Sequence, residues 1–292
     1  MSTSPSTLPR SANLVHVREP RIDRSDPALR EGAARLRALQ DPSQWFAVAL
    51  ALMLAPDSAR ERATWFDETA GTKDAERLLD DVLALPQPYR LPWFETMARQ
   101  LAPGPVEVRH ALIDASRRLM AADGMVTQMD QLRLIALRHL LAGSAVSAPA
   151  AADTSLAELD DAQALKVCVF SAFLSHMVPA PELTLDLTGQ ESTGKTWYNS
   201  VVAPWYKRLD MPPRERRDVD ATLRALRVLQ TLPWLLRPVL VRTWFDAARM
   251  LTDGPVLHPV AADALRLTCT LLDSPVPPEL GLQYIEVEPA RH

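Results

Sequence analysis

Glycine is scarce in this chain of 292 residues, with only nine against 25 prolines. That balance, with abundant Ala, Leu and Arg, argues for helices punctuated by proline rather than for a fold of tight β-hairpins. Cysteine is nearly absent too. Cys168 and Cys269 both lie in apolar helical runs and read as buried thiols, not as a disulfide or a reactive pair. No apolar run reaches the ~20 residues that a membrane-spanning helix needs. The longest, residues 45–55, is stopped by Pro56 and Asp57. The N-terminus has no apolar signal core, so the expected location is the cytoplasm. Neither sign of charge dominates. A net charge of −4 and a pI of about 5.9 leave no basic face of the kind nucleic acid requires. Hydrophobic residues at 47% and charged residues at 23% still make the chain globular, with enough length for one large or two ordinary domains.

What the sequence does have is a helical hairpin with an acidic elbow, at residues 106–141. Leu112, Ala115, Leu119 and Met120 recur at helical spacing, AADG breaks the run, and Leu132, Ile135, Ala136 and Leu140 resume it. Gly124 is placed to take the left-handed backbone that ends a helix. Val126 is expected to turn inward. Thr127 and Asp130 look like the cap of the second helix. A second version follows at 235–272, where Asp253, Gly254 and Val256 answer to Asp123, Gly124 and Val126. Met250, Leu265 and Leu267 answer to Met120, Ile135 and Leu137, and Pro233 to Pro103. Upstream, FAVALALMLAP and VFSAFLSHMVP are two apolar helices each closed by proline. The pattern predicts an internal repeat.

Along the chain, residues 1–25 are rich in Ser, Pro and Arg and are expected to be disordered. Asp26–Pro27 and Asp41–Pro42 each pair an N-cap with a first-turn proline, and further helices are expected near 57–69, 73–84 and 88–101. The first unit spans 26–142, and the small-residue stretch 143–155 is a linker. A second unit covers 156–282, opened by Ser155 with Glu158 as the capping box of a helix reaching about Met177. Residues 179–196 do not read as helix, and ELTLDLT alternates like a short strand at 183–187. Helices near 196–208, 213–230, 234–251 and 259–272 follow. From Ser274 the chain carries several prolines and is expected to be irregular, ending in a tail at 283–292. The expected fold class is all-α.

Taken in order, WFAVALALMLAPDSARERATWF, YRLPWFETMARQL, LIDASRRLMAADGMVTQMDQLRLIALRHLL and AARMLTDGPVLHP with ALRLTCTLLDSPVPPEL carry a resemblance. The chain resembles the TerB-like (tellurite-resistance B) helical fold, in two tandem units. It is similar to the cytosolic C-terminal region of HtpX-like bacterial membrane zinc metallopeptidases. Those enzymes cleave through HExxH, yet His16, His110, His139, His176, His258 and His292 make no such pattern here. The membrane helices that precede the region in those enzymes have no counterpart in these residues. Proteolysis is therefore not implied. The resemblance does imply divalent-cation ligands at the acidic elbow, Asp123 and Asp130. The second elbow keeps Asp253 but has Val260 in the later position. Two carboxylates are few for a hard cation, and both aspartates can equally serve as helix-end groups.

Gly189–Gln190–Glu191–Ser192–Thr193–Gly194–Lys195–Thr196 matches the phosphate-binding loop G-x-x-x-x-G-K-[ST] completely. In such a loop backbone N–H groups wrap phosphates, the lysine neutralises charge and the hydroxyl holds Mg²⁺. The surrounding sequence offers no parallel strands to carry it, and the alternative is an interhelical loop in which Thr193 or Thr196 caps the next helix. Trp197, Tyr198 and Trp205 read as packing residues. Tyr206, Lys207 and Arg208, with Arg214, Arg216 and Arg217, form a basic and aromatic rim suited to a partner. No set of His, Cys or Ser converges with acid partners. The sequence therefore points to a non-enzymatic scaffold or adaptor for a protein partner, linked to a membrane or stress-response complex. No cofactor is called for. The alternatives are a Mg-nucleotide protein using Gly189, Gly194, Lys195 and Thr196, and a metal-responsive module using Asp123 and Asp130.

Overall fold

Asp26 and Asp41 cap the first two helices with their carboxylates, and the prolines after them supply the fixed φ of a first turn. In the computed structural model the described residues are 14–17, 26–55, 57–143, 155–181, 192–210, 214 and 218–287. They form α1 (Pro27–Arg37), α2 (Pro42–Ala51), α3 (Ala59–Glu68), α4 (Ala75–Leu83), α5 (Gln87–Leu101), α6 (Val106–Ala121) and α7 (Gln128–Ala142). After these come α8 (Asp161–Leu174), α9 (Thr193–Val202), α10 (Val219–Leu229), α11 (Leu236–Met250), α12 (Pro259–Leu271) and α13 (Pro278–Gly281). The only strands among the described residues are β1 (Val15–His16) and β2 (Thr252–Asp253). The fold is all-α, as the glycine and proline content requires.

One continuous hydrophobic core runs from Leu29 to Tyr284. In the N-terminal half α2 packs on α5, α3 and α4, α3 on α6, and α6 on α7. In the C-terminal half α8 packs on α10 and α9, α9 on α11, and α11 on α12. Three buried tryptophans tie these crossings through their indole N–H groups. Trp65 donates to the Ala47 carbonyl at 2.9 Å, Trp197 to the Trp244 carbonyl at 3.1 Å, and Trp244 to Ser171 Oγ at 2.9 Å.

The halves meet where α7 lies against α12, and a buried polar network closes that seam. Arg266 on α12 donates to Glu95 on α5 at 2.8 Å and to both carboxylate oxygens of Glu286 at 2.6 and 2.9 Å. Thr270 donates to the other oxygen of Glu95 at 2.7 Å. Burial alone would lower the Arg266 pKa, but Glu286 and Glu95 together raise it, so the guanidinium stays charged. Tyr284 and Gln87 both donate to the buried Asp263 carboxylate, at 2.9 and 3.0 Å.

Four expectations need correction. Within residues 1–25, Leu14–Val17 are placed, and β1 pairs in parallel with β2 at the second elbow. A two-residue bridge carries no periodic signal. Ser155 and Glu158 do form a capping box, but on the 3₁₀ turn Leu156–Glu158; α8 starts separately, capped by Asp160. The chain after Ser274 is not wholly irregular, since α13 and the buried Leu280 and Tyr284 seal the core behind α12. Val126 is 48% exposed, because the elbow projects past the ends of α6 and α7. Residues 144–154 of the expected linker and the expected strand at 183–187 lie outside the described residues.

Arg266→Met should cost ~3–5 kcal/mol, because it leaves the buried Glu95 with the Thr270 hydroxyl and, as its nearest cation, only the distant Arg99, at 3.8 Å. Adding Glu95→Gln should return part of that loss. Urea denaturation of the single and double variants at neutral pH measures both.

Candidate functional site

The first elbow is built as its residue types require. Asp123 Oδ1 accepts from the Met125 N–H at 2.9 Å, Gly124 sits at φ +82°, and α7 opens with a reciprocal capping box. In that box the Asp130 N–H donates to Thr127 Oγ1 at 3.2 Å. Asp130 Oδ2 accepts from the Thr127 N–H at 2.9 Å and from its hydroxyl at 2.7 Å. Both candidate metal ligands thus spend one oxygen on a helix end.

The structure brings a third carboxylate to the elbow. Glu61, in the first turn of α3, is 7% exposed and accepts from the Ala55 N–H at 2.6 Å. Its pKa is raised by burial, and Asp123 and Asp130 raise it further, opposed by Arg133. The sequence signal for Glu61 is its place three residues after Ser58, which marks a helix start and says nothing of the elbow. Among the described residues, no group of three or more His, Cys, Asp or Glu side chains is arranged to hold a metal ion.

These carboxylates line a cleft of about 500 Å³ between the end of α2, α3, α5, the elbow and the start of α12. Leu52, Leu54, Leu91, Phe94 and Met129 give it apolar walls. Arg90, Arg133 and Asp263 supply charge on the α12 side, with Arg133 3.8 Å from Asp263. Val260, the residue that stands where a second-elbow carboxylate was sought, lines this same cleft. Asp263 has its pKa raised by burial, against the pull of Arg133, Tyr284 and Gln87.

The described part of the phosphate-loop match lies elsewhere. Gly194, Lys195 and Thr196 form the first turn of α9, and Gly189 lies outside the described residues. The cap is Ser192, not Thr193 or Thr196; its Oγ accepts from the Lys195 N–H at 3.2 Å. Gly194 has a packing reason: a Cβ there would come within 2.1 Å of the Ser175 carbonyl oxygen and 2.9 Å of Arg214. Arg214 donates to Ser175 Oγ at 2.7 Å, to the Ser175 carbonyl at 3.1 Å and to Ser192 Oγ at 3.2 Å, so it ties the end of α8 to the start of α9.

Of the other rim residues, Arg208 pairs with Asp161 at 2.8 Å and donates to the Leu159 carbonyl at 2.5 Å. Tyr206 and Lys207 are exposed, while Arg216 and Arg217 lie outside the described residues. Trp197, Tyr198 and Trp205 are buried. The two thiols are held protonated: burial pushes both Cys168 and Cys269 up to about 12.

A second cleft, of about 430 Å³, opens on the other side of the first elbow. Val126, Gln128 and Gln131 face Leu165, Val169 and Phe173 of α8 and Val219 and Thr222 of α10 across it. No helix among the described residues is long and apolar enough to cross a membrane. Comparison with family models, with curated proteins and with solved structures gave no match.

Gly194→Ala should destabilise the fold by at least ~1–3 kcal/mol, although alanine is the better helix former, because the Ser175 carbonyl cannot move aside. The exposed Lys195→Ala should stay within ~0.5 kcal/mol. Thermal melting of the two variants separates a packing glycine from a ligand-binding lysine. For Glu61, a folded-state pKa above the unfolded value means that the native state takes up a proton, so stability falls as pH rises through the raised pKa. Glu61→Gln removes that loss while its amide oxygen can still accept from Ala55. The variant's advantage over wild type should grow from about pH 4 to neutrality, as denaturation at the two pH values will show.

Proposed function

We propose that the chain is a non-enzymatic, cytoplasmic helical adaptor made of two TerB-like units, which holds a protein partner against its first elbow. The repeat reading is supported by matched packing. The contacts α2–α3, α2–α5, α3–α6 and α6–α7 recur as α8–α9, α8–α10, α9–α11 and α11–α12. The observation that carries the partner reading is the difference between the two elbows. The second is covered by the chain itself, where the Val15 N–H donates to the Leu251 carbonyl at 2.9 Å and β1 pairs with β2. The first lies open, with Met125 72% exposed and Val126 beside the cleft over α8 and α10. An exposed apolar tip next to an apolar-walled groove favours an inserted apolar side chain of another protein. The resemblance to the cytosolic region of membrane-bound peptidases fits a partner at a membrane or in a stress-response complex.

The test is capture from the protein's own cells with wild type and with Val126→Asp/Val219→Asp. Both positions are exposed, so the fold should survive the change, which circular dichroism verifies. A partner retained by wild type and lost at least about tenfold by the double variant supports the adaptor. Equal retention by both places contact elsewhere and overturns it.

A further inference from the structure

Arg90 stands out among the charged residues of the 500 Å³ cleft. It lies on α5, only partly exposed, and it makes no hydrogen bond or ion pair with any described residue. Its neighbour Arg133 reaches Asp263 only at 3.8 Å, beyond hydrogen-bonding distance, and makes no hydrogen bond with a described residue. Two guanidinium forks with donors to spare therefore face one cavity. By contrast, Arg266, Arg237 and Arg214 each place several donors on named acceptors. A half-buried guanidinium without an acceptor is costly, and planar carboxylate is the group that fits its fork.

A plain anion does not suit the whole cleft, because Glu61, Asp123 and Asp130 line its other end. Each of the three binds a backbone N–H through one oxygen and makes no hydrogen bond with a described residue through the other. Asp130 and Arg133 stand three residues apart on α7, so the acidic and basic poles are neighbours on one helix face, ~5–6 Å apart at Cβ. Leu52, Leu54 and Phe94 line the same cavity. A cavity of this size belongs to the range of small-ligand sites.

We propose that this cleft binds a small zwitterion, with its carboxylate in the fork of Arg90 and Arg133 and its ammonium against Glu61, Asp123 and Asp130. Short apolar methylenes between the two charges lie along the Leu52, Leu54 and Phe94 wall. The electrostatics agree with this division. Burial lowers the Arg90 pKa and so does the nearby Arg133, while burial and the two aspartates raise that of Glu61. Each pole is strained by its own like charges, and a ligand carrying both opposite charges relieves both. The site lies on the α12 side of the first elbow and shares Met125 with the exposed tip, but Val126 and Val219, the positions changed to test the partner groove, do not line it, so the two proposals are tested separately.

The experiment is calorimetric titration of the full chain with δ-aminovalerate, and with valerate and pentylamine, which each keep one charge on the same carbon chain. Calcium chloride is the fourth titrant. Saturable binding of δ-aminovalerate is expected, with each single-charge analogue about tenfold or more weaker. Arg90→Gln should weaken δ-aminovalerate binding by about 10–100-fold. Because Arg90 makes no hydrogen bond or ion pair with a described residue, the same variant should melt close to wild type, which separates lost binding from lost structure. Three results would overturn the proposal: no saturable binding of δ-aminovalerate, binding unchanged by Arg90→Gln, or a response to calcium alone.

Discussion

The ion pair between Arg266 and Glu95 is the constraint on which the arrangement of the two halves depends. Both side chains are buried, so leaving either charge unpaired at the seam between α5 and α12 would be costly. Thr270 takes the second oxygen of Glu95, and Glu286 accepts from both terminal nitrogens of Arg266. The guanidinium also stacks over Tyr284, 4.6 Å from the ring centre, and the Tyr284 hydroxyl holds Asp263. Asp263 in turn receives Gln87 from α5. A single arginine therefore organises the C-terminal segment, α12 and α5 into one block. That block is why a cleft exists beside the first elbow at all, since α12 supplies its far wall.

Such a network gives specificity more than raw stability, because apolar residues of similar volume could fill the same space. Charge placed at this seam fixes which face of α12 meets α5. The registry matters for the cleft: turning α12 would remove Val260 and Asp263 from it together. Within α12, Arg266 is paired with two carboxylates across the seam, while Asp263 only approaches Arg133. The contrast between the ion-paired Arg266 and the sparsely bonded Arg90 and Arg133 separates charge spent on the fold from charge with donors to spare.

Much of the fold was legible in the sequence, and the reasons are local. N-caps at Asp26, Asp41 and Thr127, the left-handed Gly124 and the apolar periodicity of α6 and α7 all act within a few residues. Each produced the element that its spacing predicts. What could not be read depends on partners far along the chain. Glu61 joins Asp123 across three helices, Arg90 meets Arg133 from α5, and Glu95 finds Arg266 in the other half. Only the folded chain sets those distances. Gly194 shows the same limit in reverse. Its sequence neighbours spell a phosphate loop, while the Ser175 carbonyl pressing on it, from another helix, accounts for the glycine. Local pattern also overreached at Ser155, where a sound capping box closes only a 3₁₀ turn before Asp160 starts the helix.

The two elbows illustrate how similar local sequence can be put to different ends. Both place an aspartate and a glycine of positive φ after a long helix, at Asp123–Gly124 and Asp253–Gly254. At the second, Thr252 and Asp253 adopt extended backbone and their edge is taken by β1, so the polar groups of that turn are satisfied within the chain. At the first, Asp123 satisfies the turn from its own side chain, no strand among the described residues pairs with it, and Met125 and Val126 are exposed. An internally satisfied turn can stay exposed without the cost of bare backbone. The apolar tip can therefore persist on the surface.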